Sequence, residues 1–531
     1  MKNLVKRFFF GRGTILSILA IAGISLGSGF LLIQANTRLG AVFNDHIMAS
    51  NMEGALSATL GAVSLFLLVF LLRICTEYMR QRLWWQGEAR LKDYFVKKLL
   101  RTESKYFHQR QAPDIWATIN LSSQGAASFF AGITATAVSA ILLVFYGVLI
   151  FRIDVYAGLL SCLAVPFYIL LARATGKKVT TLQGGIMDLF RDLGVKAQES
   201  ISIVQNIKAK NAYDFFSGRI MGTQNKISKT MVKTNTLMTY TGSVSGVISI
   251  IAPVLILFGA MHLSPHLSIN AGTILILYIN IPLFMAAFGS IFASVLSYRA
   301  SLPALGKLID LDNVPQEKSD TIELLAFQSL STHNLSVAFG DSKVIKIPDM
   351  AIHKGEKIMI FGESGAGKST LFNVVMGFNQ DYEGAVKVNG IDIREFTVTS
   401  LREVFGIAFQ HMPVPTLPLK ENTTLGQSHL EDAVVSAFHA ANLTTLYQEK
   451  GNNILRDQTI SGGERSRISL AQALVRDPDV LFLDETFSNV DEAMEAMILE
   501  HLLTAYGGKT IVCICHRQAS GRFFDRCIEV C

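Results

Sequence analysis

The longest uncharged stretch of the chain limits its fold most narrowly. Between Thr234 and Tyr298 there is no Lys, Arg, Asp or Glu, and a polar segment at residues 262–270 divides the stretch into two apolar runs. A helix needs about 20 apolar residues to cross the hydrocarbon core of a bilayer. Within that core only helices and closed barrels satisfy the backbone polar groups. Two membrane-spanning helices are therefore expected, at residues 241–261 and 271–294.

Four more apolar runs precede these two. Residues 14–35, 54–74, 123–151 and 155–173 each have the length and composition of a span. Half of the 531 residues are apolar and only 17% are charged, which gives a mean hydropathy of +0.36. We therefore predict a six-span, all-helical membrane domain over residues 1–299, in which the segments between spans form cytosolic coupling extensions.

The basic residues predict the orientation of the spans. Lys and Arg precede the first span and fill the loop between the second and third, whereas the alternate loops hold little beyond Arg38 and Arg152. Basic loops remain on the cytosolic side, so both chain termini are expected there. The first span has the basic start of a signal peptide, but its length and the five spans after it favour a membrane anchor. The net charge of +6 is thus explained by contact with lipid, and no nucleic acid partner is expected.

The second half contains a phosphate-binding loop. A linker at residues 300–325 is expected to lead into a domain of mixed charge over residues 326–531, where an apolar strand, Lys357 to Phe361, precedes a match to G-x-x-x-x-G-K-[ST]. Backbone N–H groups and a helix N-terminus there bind phosphates. Lys368 is expected to reach the β- and γ-phosphates of ATP, and Ser369 to bind Mg²⁺. The residues expected at the phosphates are Gly362, Glu363, Ser364, Gly365, Ala366, Gly367, Lys368, Ser369 and Thr370.

Two later strands end in ionisable side chains. The apolar run from Val480 ends in Asp484 and Glu485, and the run from Thr510 ends before His516. Ligands of parallel sheets lie beyond the carboxyl ends of the strands. Asp484 is therefore predicted to bind Mg²⁺, Glu485 to act as the general base for the attacking water, and His516 to contact the γ-phosphate.

The order of the remaining motifs resembles the ATPase domain of ABC transporters. Ser461-Gly462-Gly463-Glu464 resembles the family signature, Ser488 to Asp491 the D-loop, and Gln410 the Q-loop glutamine. With the membrane half included, the chain resembles an exporter-type half-transporter over nearly its whole length. The implied fold is an all-α six-helix transmembrane domain plus an α/β P-loop ABC ATPase domain.

The resemblance also implies roles for individual residues. Phe339 takes the place of the aromatic residue that stacks on adenine. Gln410 takes that of the glutamine that senses Mg²⁺, contacts the membrane domain and assists catalysis. In this family the signature residues contact the γ-phosphate of the ATP bound to the opposite subunit. One chain therefore lacks a complete ATP site, and a second half-transporter is expected as partner, as a homodimer or a heterodimer. The residues expected to contact ATP across that interface are Ser461, Gly462, Gly463, Glu464 and Asp491.

Four positions depart from the family pattern. Glu464 stands where Gln is usual, and Leu455 stands where exporters carry a glutamate just upstream of the signature. Thr486 and Phe487 replace the Pro/Ala-Thr pair that commonly follows the catalytic Glu. None of these changes removes a residue that hydrolysis requires. The coupling of hydrolysis to the spans is the property that Leu455 is expected to alter.

The expected function is export driven by ATP hydrolysis, in a bacterial inner membrane. The expected cargo is an amphipathic peptide, a lipid-like molecule or a hydrophobic small molecule, because no ionised residue lies within the fifth and sixth spans. Asn280, Pro282, Phe284, Met285 and Phe288 offer a mixed face that suits such a cargo or serves ordinary helix packing. An importer of the same architecture and an ATP-gated channel or regulator remain alternatives. A soluble ABC ATPase does not, because of the six spans.

Overall fold

The structure is a computed structural model. It describes residues 12–42, 52–108, 110, 112–263, 271–317, 322–339, 343–363, 365–410, 412–451, 453–515 and 517–530. Backbone contacts divide the chain into two units. One comprises residues 1–101 and 107–314, and the other comprises residues 102–106 and 315–531.

The first unit is built from long helices. Within the described residues, six helical segments are long and apolar enough to cross a membrane, and α5 and α6 together form one of them. This confirms the predicted six-helix membrane fold. The helices are α1 (Arg12–Ala41), α2 (Met52–Leu99), α3 (Ser104–His108), α4 (Ala112–Ile153), α5 (Val155–Cys162), α6 (Ala164–Ser202), α7 (Val204–Ala209), α8 (Tyr213–Leu263) and α9 (Ala271–Asp312).

Several helices are longer than a bilayer requires. Helix α2 has 48 residues and α8 has 51, so each is more than about 70 Å long, or roughly twice the hydrocarbon thickness. Helix α9 continues to Asp312, so part of the predicted 300–325 linker is helical. The tight connection between α4 and α5 is fixed by Asp154, whose carboxylate accepts a hydrogen bond from the backbone N–H of Ala157 at 2.7 Å.

Small and polar residues hold the membrane helices together. A Cβ atom on Gly125 would lie 2.2 Å from Cβ of Ala304, so α4 and α9 approach too closely for a larger residue. Asn36 of α1 donates a hydrogen bond to the side-chain oxygen of Asn280 of α9 at 3.0 Å, and both residues are buried. These contacts define which faces of the helices meet.

The second unit contains two β-sheets. The antiparallel sheet has the strand order β2-β1-β5-β6, and β3 also pairs with β1; the parallel sheet has the order β10-β4-β9-β8-β7. The strands are β1 (Ser329–Phe339), β2 (Lys343–Ile347), β3 (Met350–His353), β4 (Lys357–Gly362), β5 (Glu383–Val388), β6 (Ile391–Asp392), β7 (Phe405–Ala408), β8 (Val480–Asp484), β9 (Thr510–Ile514) and β10 (Arg526–Val530).

Helices cover the parallel sheet, as expected for an α/β domain. They are α10 (Lys368–Val375), α11 (Val398–Val404), α12 (Leu419–Thr424), α13 (Glu431–Ala440), α14 (Thr444–Lys450), α15 (Gly462–Leu474) and α16 (Glu492–Tyr506). Every residue of β9 is buried, because a parallel strand between helical layers has no solvent face. Cys513 and Cys515 belong to this core. The carboxyl ends of β4, β7, β8 and β9 meet at one edge of the sheet.

Candidate active site

The loop after β4 requires glycine at its two ends. Gly362 has φ +149°, and a Cβ there would lie 2.0 Å from the backbone oxygen of Val530. Gly367 precedes α10 with φ +100°, and a Cβ there would lie 2.3 Å from a methyl carbon of Ile345. Larger residues would have to adopt a strained backbone and clash with their neighbours. The loop therefore begins and ends at positions that only glycine can occupy.

The loop lysine is buried against its own backbone. The ammonium group of Lys368 donates to the carbonyl oxygens of Gly362 at 2.9 Å and Glu363 at 2.7 Å. Thr370 is also buried, and Ala366 packs against the core. Ser364 lies outside the described residues. Since the cation is held beside the first residues of α10, the local charge suits a phosphate group.

The loop and the end of β8 are joined by a hydrogen bond. The hydroxyl of Ser369 donates to the carboxylate of Asp484 at 2.7 Å. Burial raises the pKa of Asp484 and the charge of Glu485 adds to this effect, although the Ser369 bond and the Lys368 charge oppose it. A hydroxyl and a carboxylate side by side are hard oxygen ligands of the kind that Mg²⁺ binds. The donor set therefore fits the predicted magnesium site.

The next carboxylate contacts the end of β7. Glu485 has φ +45°, an uncommon conformation for a residue with a side chain, and its backbone N–H donates to the carbonyl of Ile514 at 3.2 Å. The side-chain amide of Gln410 donates to the Glu485 carboxylate. The sheet thus brings together Ser369, Asp484, Glu485 and Gln410, which come from three separate parts of the sequence.

The Ser-Gly-Gly-Glu motif begins α15 as a capping box. The Ser461 hydroxyl accepts from the backbone N–H of Glu464 at 3.2 Å, and the Glu464 carboxylate accepts from the backbone N–H of Ser461 at 2.7 Å. Burial raises the pKa of Glu464, but the two Ser461 bonds outweigh that effect and lower it overall. A glutamate therefore performs the capping role of the usual glutamine here.

The glycines of this motif lie against the D-loop of the same chain. A Cβ on Gly462 would lie 3.3 Å from Cβ of Asn489, and one on Gly463 would lie 3.1 Å from the Asn489 backbone oxygen. Asp491 caps α16 by accepting from the backbone N–H of Met494 at 2.9 Å. The two motifs are therefore one packed surface in each chain.

Besides Ser364, two predicted residues have no described side chain. Phe339 is the last residue of β1, paired in register with Lys343 of β2, and only its backbone is described. His516 lies outside the described residues. Their predicted contacts with ATP therefore stay predictions.

A role for the carboxylate of Glu495 was not predicted from the sequence. Glu495 of α16 is buried, and it accepts hydrogen bonds from Arg517, Ser520 and the thiol of Cys515. The available signal was helical periodicity: Glu495 lies on the same face as the buried Ile498, Leu499 and Leu502. A charged residue on a core face requires a partner.

The membrane unit contains a cavity that the sequence did not indicate. It has a volume of about 770 Å³ and is bounded by α4, α6, α8 and α9, and none of its lining residues is ionisable. Lining residues include Gln124, Gln183, Met187, Phe190, Met238 and Phe292. By contrast, Asn280, Phe284 and Met285 are buried in helix packing. The packing interpretation of that face is the one the structure supports.

Known proteins share both halves of this chain. Residues 13–288 match the family described as ABC transporter transmembrane region, and residues 345–488 match the family described as ABC transporter. A probable ABC transporter ATP-binding/permease protein of Haemophilus influenzae is 26% identical over 374 residues, which are 68% of this chain and 66% of that protein. A lactococcin transport/processing ATP-binding protein LcnC-like of Lactococcus lactis subsp. lactis is 24% identical over 517 residues, which are 93% of this chain and 71% of that protein.

A solved structure shares the fold. The structure of a bacterial Atm1-family ABC exporter with ATP bound matches with a TM-score of 0.85 at 18% identity, covering 97% of this chain and 94% of that one. The chain spans about two thirds of the length of the Haemophilus relative. Because the transmembrane match alone covers more than half of the 531 residues, the protein belongs to the ABC transporter family, as an exporter-type half-transporter whose membrane-spanning half precedes an ABC ATPase half.

Proposed function

We propose that this protein couples ATP hydrolysis to export from the cytosol. The observation that carries the proposal is the meeting of Ser369, Asp484, Glu485 and Gln410 at one sheet edge. The described part of the chain also contains six helical segments long and apolar enough to span a membrane. The proposed location is a bacterial inner membrane with both termini and the ATPase half in the cytosol. Basic loops alternate with nearly neutral ones along the chain, which supports that orientation.

Each residue at the edge has a proposed task. Lys368 and the loop backbone bind the β- and γ-phosphates, and Phe339 stacks on adenine. Ser369, Asp484 and Gln410 hold Mg²⁺, which when bound neutralises phosphate charge. Glu485 takes a proton from the water that attacks the γ-phosphorus, and His516 contacts the γ-phosphate.

The Gln410 contact orients the proposed base. The Gln410 amide donates to the carboxylate of Glu485, and that carboxylate must also accept from water during hydrolysis. An ionised carboxylate has about four acceptor positions on its two oxygens, so the Gln410 bond holds Glu485 in place and leaves it able to accept from water. The amide oxygen of Gln410 would be the atom that binds Mg²⁺.

A dimer completes each ATP site in this proposal. The signature residues Ser461 to Glu464, with Asp491, face the ATP bound to the partner subunit, and each chain supplies one such surface. Nothing in the motifs requires a different partner chain, since Glu485 and His516 are both present. A homodimer is therefore proposed.

Apolar residues at a cytosolic turn are suited to transmit the ATPase motion. Ile201 is 72% exposed and Val204 is 43% exposed at the junction of α6 and α7, whereas Ile207 is buried. Single exposed apolar residues are common on protein surfaces, so the assignment rests on the place of these two at the turn that follows the long helix α6. We assign this turn as a coupling segment that contacts an ATPase half.

The cavity in the membrane unit supports an apolar or amphipathic cargo. Its lining combines aromatic, methionine and aliphatic side chains with hydroxyl and amide groups, and no ionisable residue. Methionine adapts to ligands of different shape, and a volume of about 770 Å³ suits a drug-sized molecule or a few peptide side chains. The lactococcin relative makes a peptide the first cargo to test.

Transport into inside-out vesicles tests the proposal. Vesicles with the native protein should accumulate a fluorescent hydrophobic peptide when ATP and Mg²⁺ are added. Glu485→Gln vesicles should bind ATP but accumulate none, because the proton acceptor is lost. Accumulation only in right-side-out vesicles that enclose ATP and Mg²⁺ would show an importer. An ATP-dependent ion conductance without accumulation would show a channel, and normal hydrolysis by Glu485→Gln would remove the assigned base.

A further inference from the structure

The buried carboxylate of Glu495 accepts hydrogen bonds at both of its oxygens. Glu495 is 1% exposed. One of its oxygens accepts from the guanidinium of Arg517 at 2.7 Å, and the other accepts from the hydroxyl of Ser520 and from the thiol of Cys515 at 3.4 Å. Burying a carboxylate is costly unless it is paired and hydrogen-bonded. Here both oxygens are satisfied, and the positive charge of Arg517 balances the negative one.

All three donors lie on one short segment. Residues 515, 517 and 520 follow β9 and surround position 516 in the sequence. Burial raises the pKa of the Cys515 thiol, so the thiol stays protonated and serves as a donor. The backbone N–H of Arg517 also contacts the Cys515 sulfur at 3.4 Å. Glu495 thus holds the chain on both sides of His516.

The same carboxylate is tied to the D-loop. Asp491 is the N-cap of α16, and its backbone oxygen accepts from the backbone N–H of Glu495 at 2.9 Å. Only one helical turn separates the cap from the carboxylate. The end of the D-loop and the Glu495 carboxylate therefore lie in the same first turn of α16, and the carboxylate is bonded to the segment that follows β9.

We propose that Glu495 is a positioning residue for ATP hydrolysis, which fixes the segment bearing His516 relative to the D-loop. This inference rests on the proposed contact of His516 with the γ-phosphate. Glu495 lies in the core and serves the reaction by orienting a residue that touches ATP. A carboxylate that merely stabilised the fold would affect unfolding without a selective effect on turnover.

The test compares single and double variants of the full-length protein in lipid nanodiscs. Glu495→Gln keeps the shape of the side chain and removes the charge that pairs with Arg517. It should lower kcat at least about tenfold and leave ATP binding, measured in the Glu485→Gln background, unchanged. The double variant Glu495→Gln with His516→Ala should be no slower than His516→Ala alone, because both changes remove the same contact of His516 with the γ-phosphate. Glu500→Gln is the matched control, an exposed glutamate on the same helix, and should keep the native kcat.

The outcomes separate this inference from the assigned role of His516. If His516→Ala hydrolyses ATP at the native rate, the γ-phosphate contact is wrong and the inference falls with it. If His516→Ala is slow while Glu495→Gln is normal, only the inference is wrong. Additive losses in the double variant would also refute it. Should Glu495→Gln fail to fold, Arg517→Gln and Ser520→Ala replace it, and a native kcat in both would overturn the proposal.

Discussion

Neighbouring charges and burial change the chemistry of individual residues at the ATP site. Asp484 and Glu485 are adjacent in the sequence, yet Asp484 receives a hydrogen bond from Ser369 and Glu485 receives one from Gln410. Burial raises the pKa of Asp484 first of all, and the neighbouring carboxylate adds to the effect. Before Mg²⁺ binds, the Asp484 carboxylate is therefore in an environment that disfavours its charge.

This raised pKa predicts a pH-dependent stability. Between the ordinary aspartate pKa of about 3.9 and the raised value, the unfolded chain has lost a proton that the native protein keeps. Rising pH then lowers the free energy of unfolding. The amide introduced by Asp484→Asn does not titrate. The measurement is the thermal unfolding midpoint of each protein, without nucleotide and Mg²⁺. The midpoint of Asp484→Asn minus the midpoint of the native protein should increase as the pH rises through this window.

Asp349→Asn serves as a control, because its midpoint difference from the native protein should change with pH in the opposite direction. The backbone N–H of Asn334 lowers the pKa of Asp349, and His333 lowers it further. Because Asp349 is exposed, the expected slope is small. A midpoint difference for Asp484→Asn that stays constant or falls with pH would contradict the environment described for Asp484.

At the scale of elements, three helices begin at motifs of the candidate ATP site. Helix α10 begins at the phosphate loop, α15 at the Ser-Gly-Gly-Glu motif and α16 at the D-loop. Unpaired N–H groups at such ends need acceptors. In α15 the Ser461 and Glu464 side chains supply them. The signature motif is therefore a structural cap as well as a proposed ATP contact.

The capping box gives a prediction about α15. Ser461→Ala should lower the free energy of unfolding by about 1 kcal/mol and speed hydrogen exchange of the first amides of α15. Glu464→Gln should stay within about 0.5 kcal/mol of the native value, because its amide oxygen can still accept from Ser461. Thr504→Ala removes an exposed hydroxyl from α16 and controls for the loss of any side-chain oxygen. Equal protection in native and Ser461→Ala protein would contradict the cap.

At the scale of the whole molecule, the chain has a single copy of each ATP-site motif. One chain contains one phosphate loop and one Ser-Gly-Gly-Glu motif, and its described residues contain six helical segments long and apolar enough to span a membrane. The Gly462 and Gly463 surface lies against Asn489 of its own chain, so the two motifs form one surface, which in the proposed dimer faces the partner. Export by alternating access would then require two copies whose ATPase halves close over bound ATP.

Nanodiscs that hold a defined number of copies test this requirement. Discs with one copy, identified by particle mass, should bind ATP and hydrolyse it far more slowly per chain than discs with two copies. The physical reason is that, in the proposed dimer, the signature contact to the γ-phosphate comes from the partner. Two-copy discs of Glu485→Gln control for ATP binding without turnover. Full hydrolysis in single-copy discs would show that one chain completes its own site.

Local patterns determined a large part of this protein. Apolar runs of about 20 residues have the length of a membrane-spanning helix, and the described residues contain six helical segments long and apolar enough to span a membrane. The strand, glycine loop and helix around Lys368 follow from residues that are adjacent in the sequence, as does the acidic end of β8. These features depend on contacts along a short stretch of chain, so the sequence alone is sufficient.

Tertiary structure decided which distant residues meet. Gln410 and Glu485 are joined only through the neighbouring strands β7 and β8, and Glu495 finds Arg517 and Ser520 only when α16 packs beside the end of β9. Likewise, the face with Asn280 and Met285 is buried, while the cavity opens between other parts of α4, α6, α8 and α9. Helical periodicity shows that a residue lies on an apolar face, but the packing of several helices decides whether that face meets a protein neighbour or an open volume.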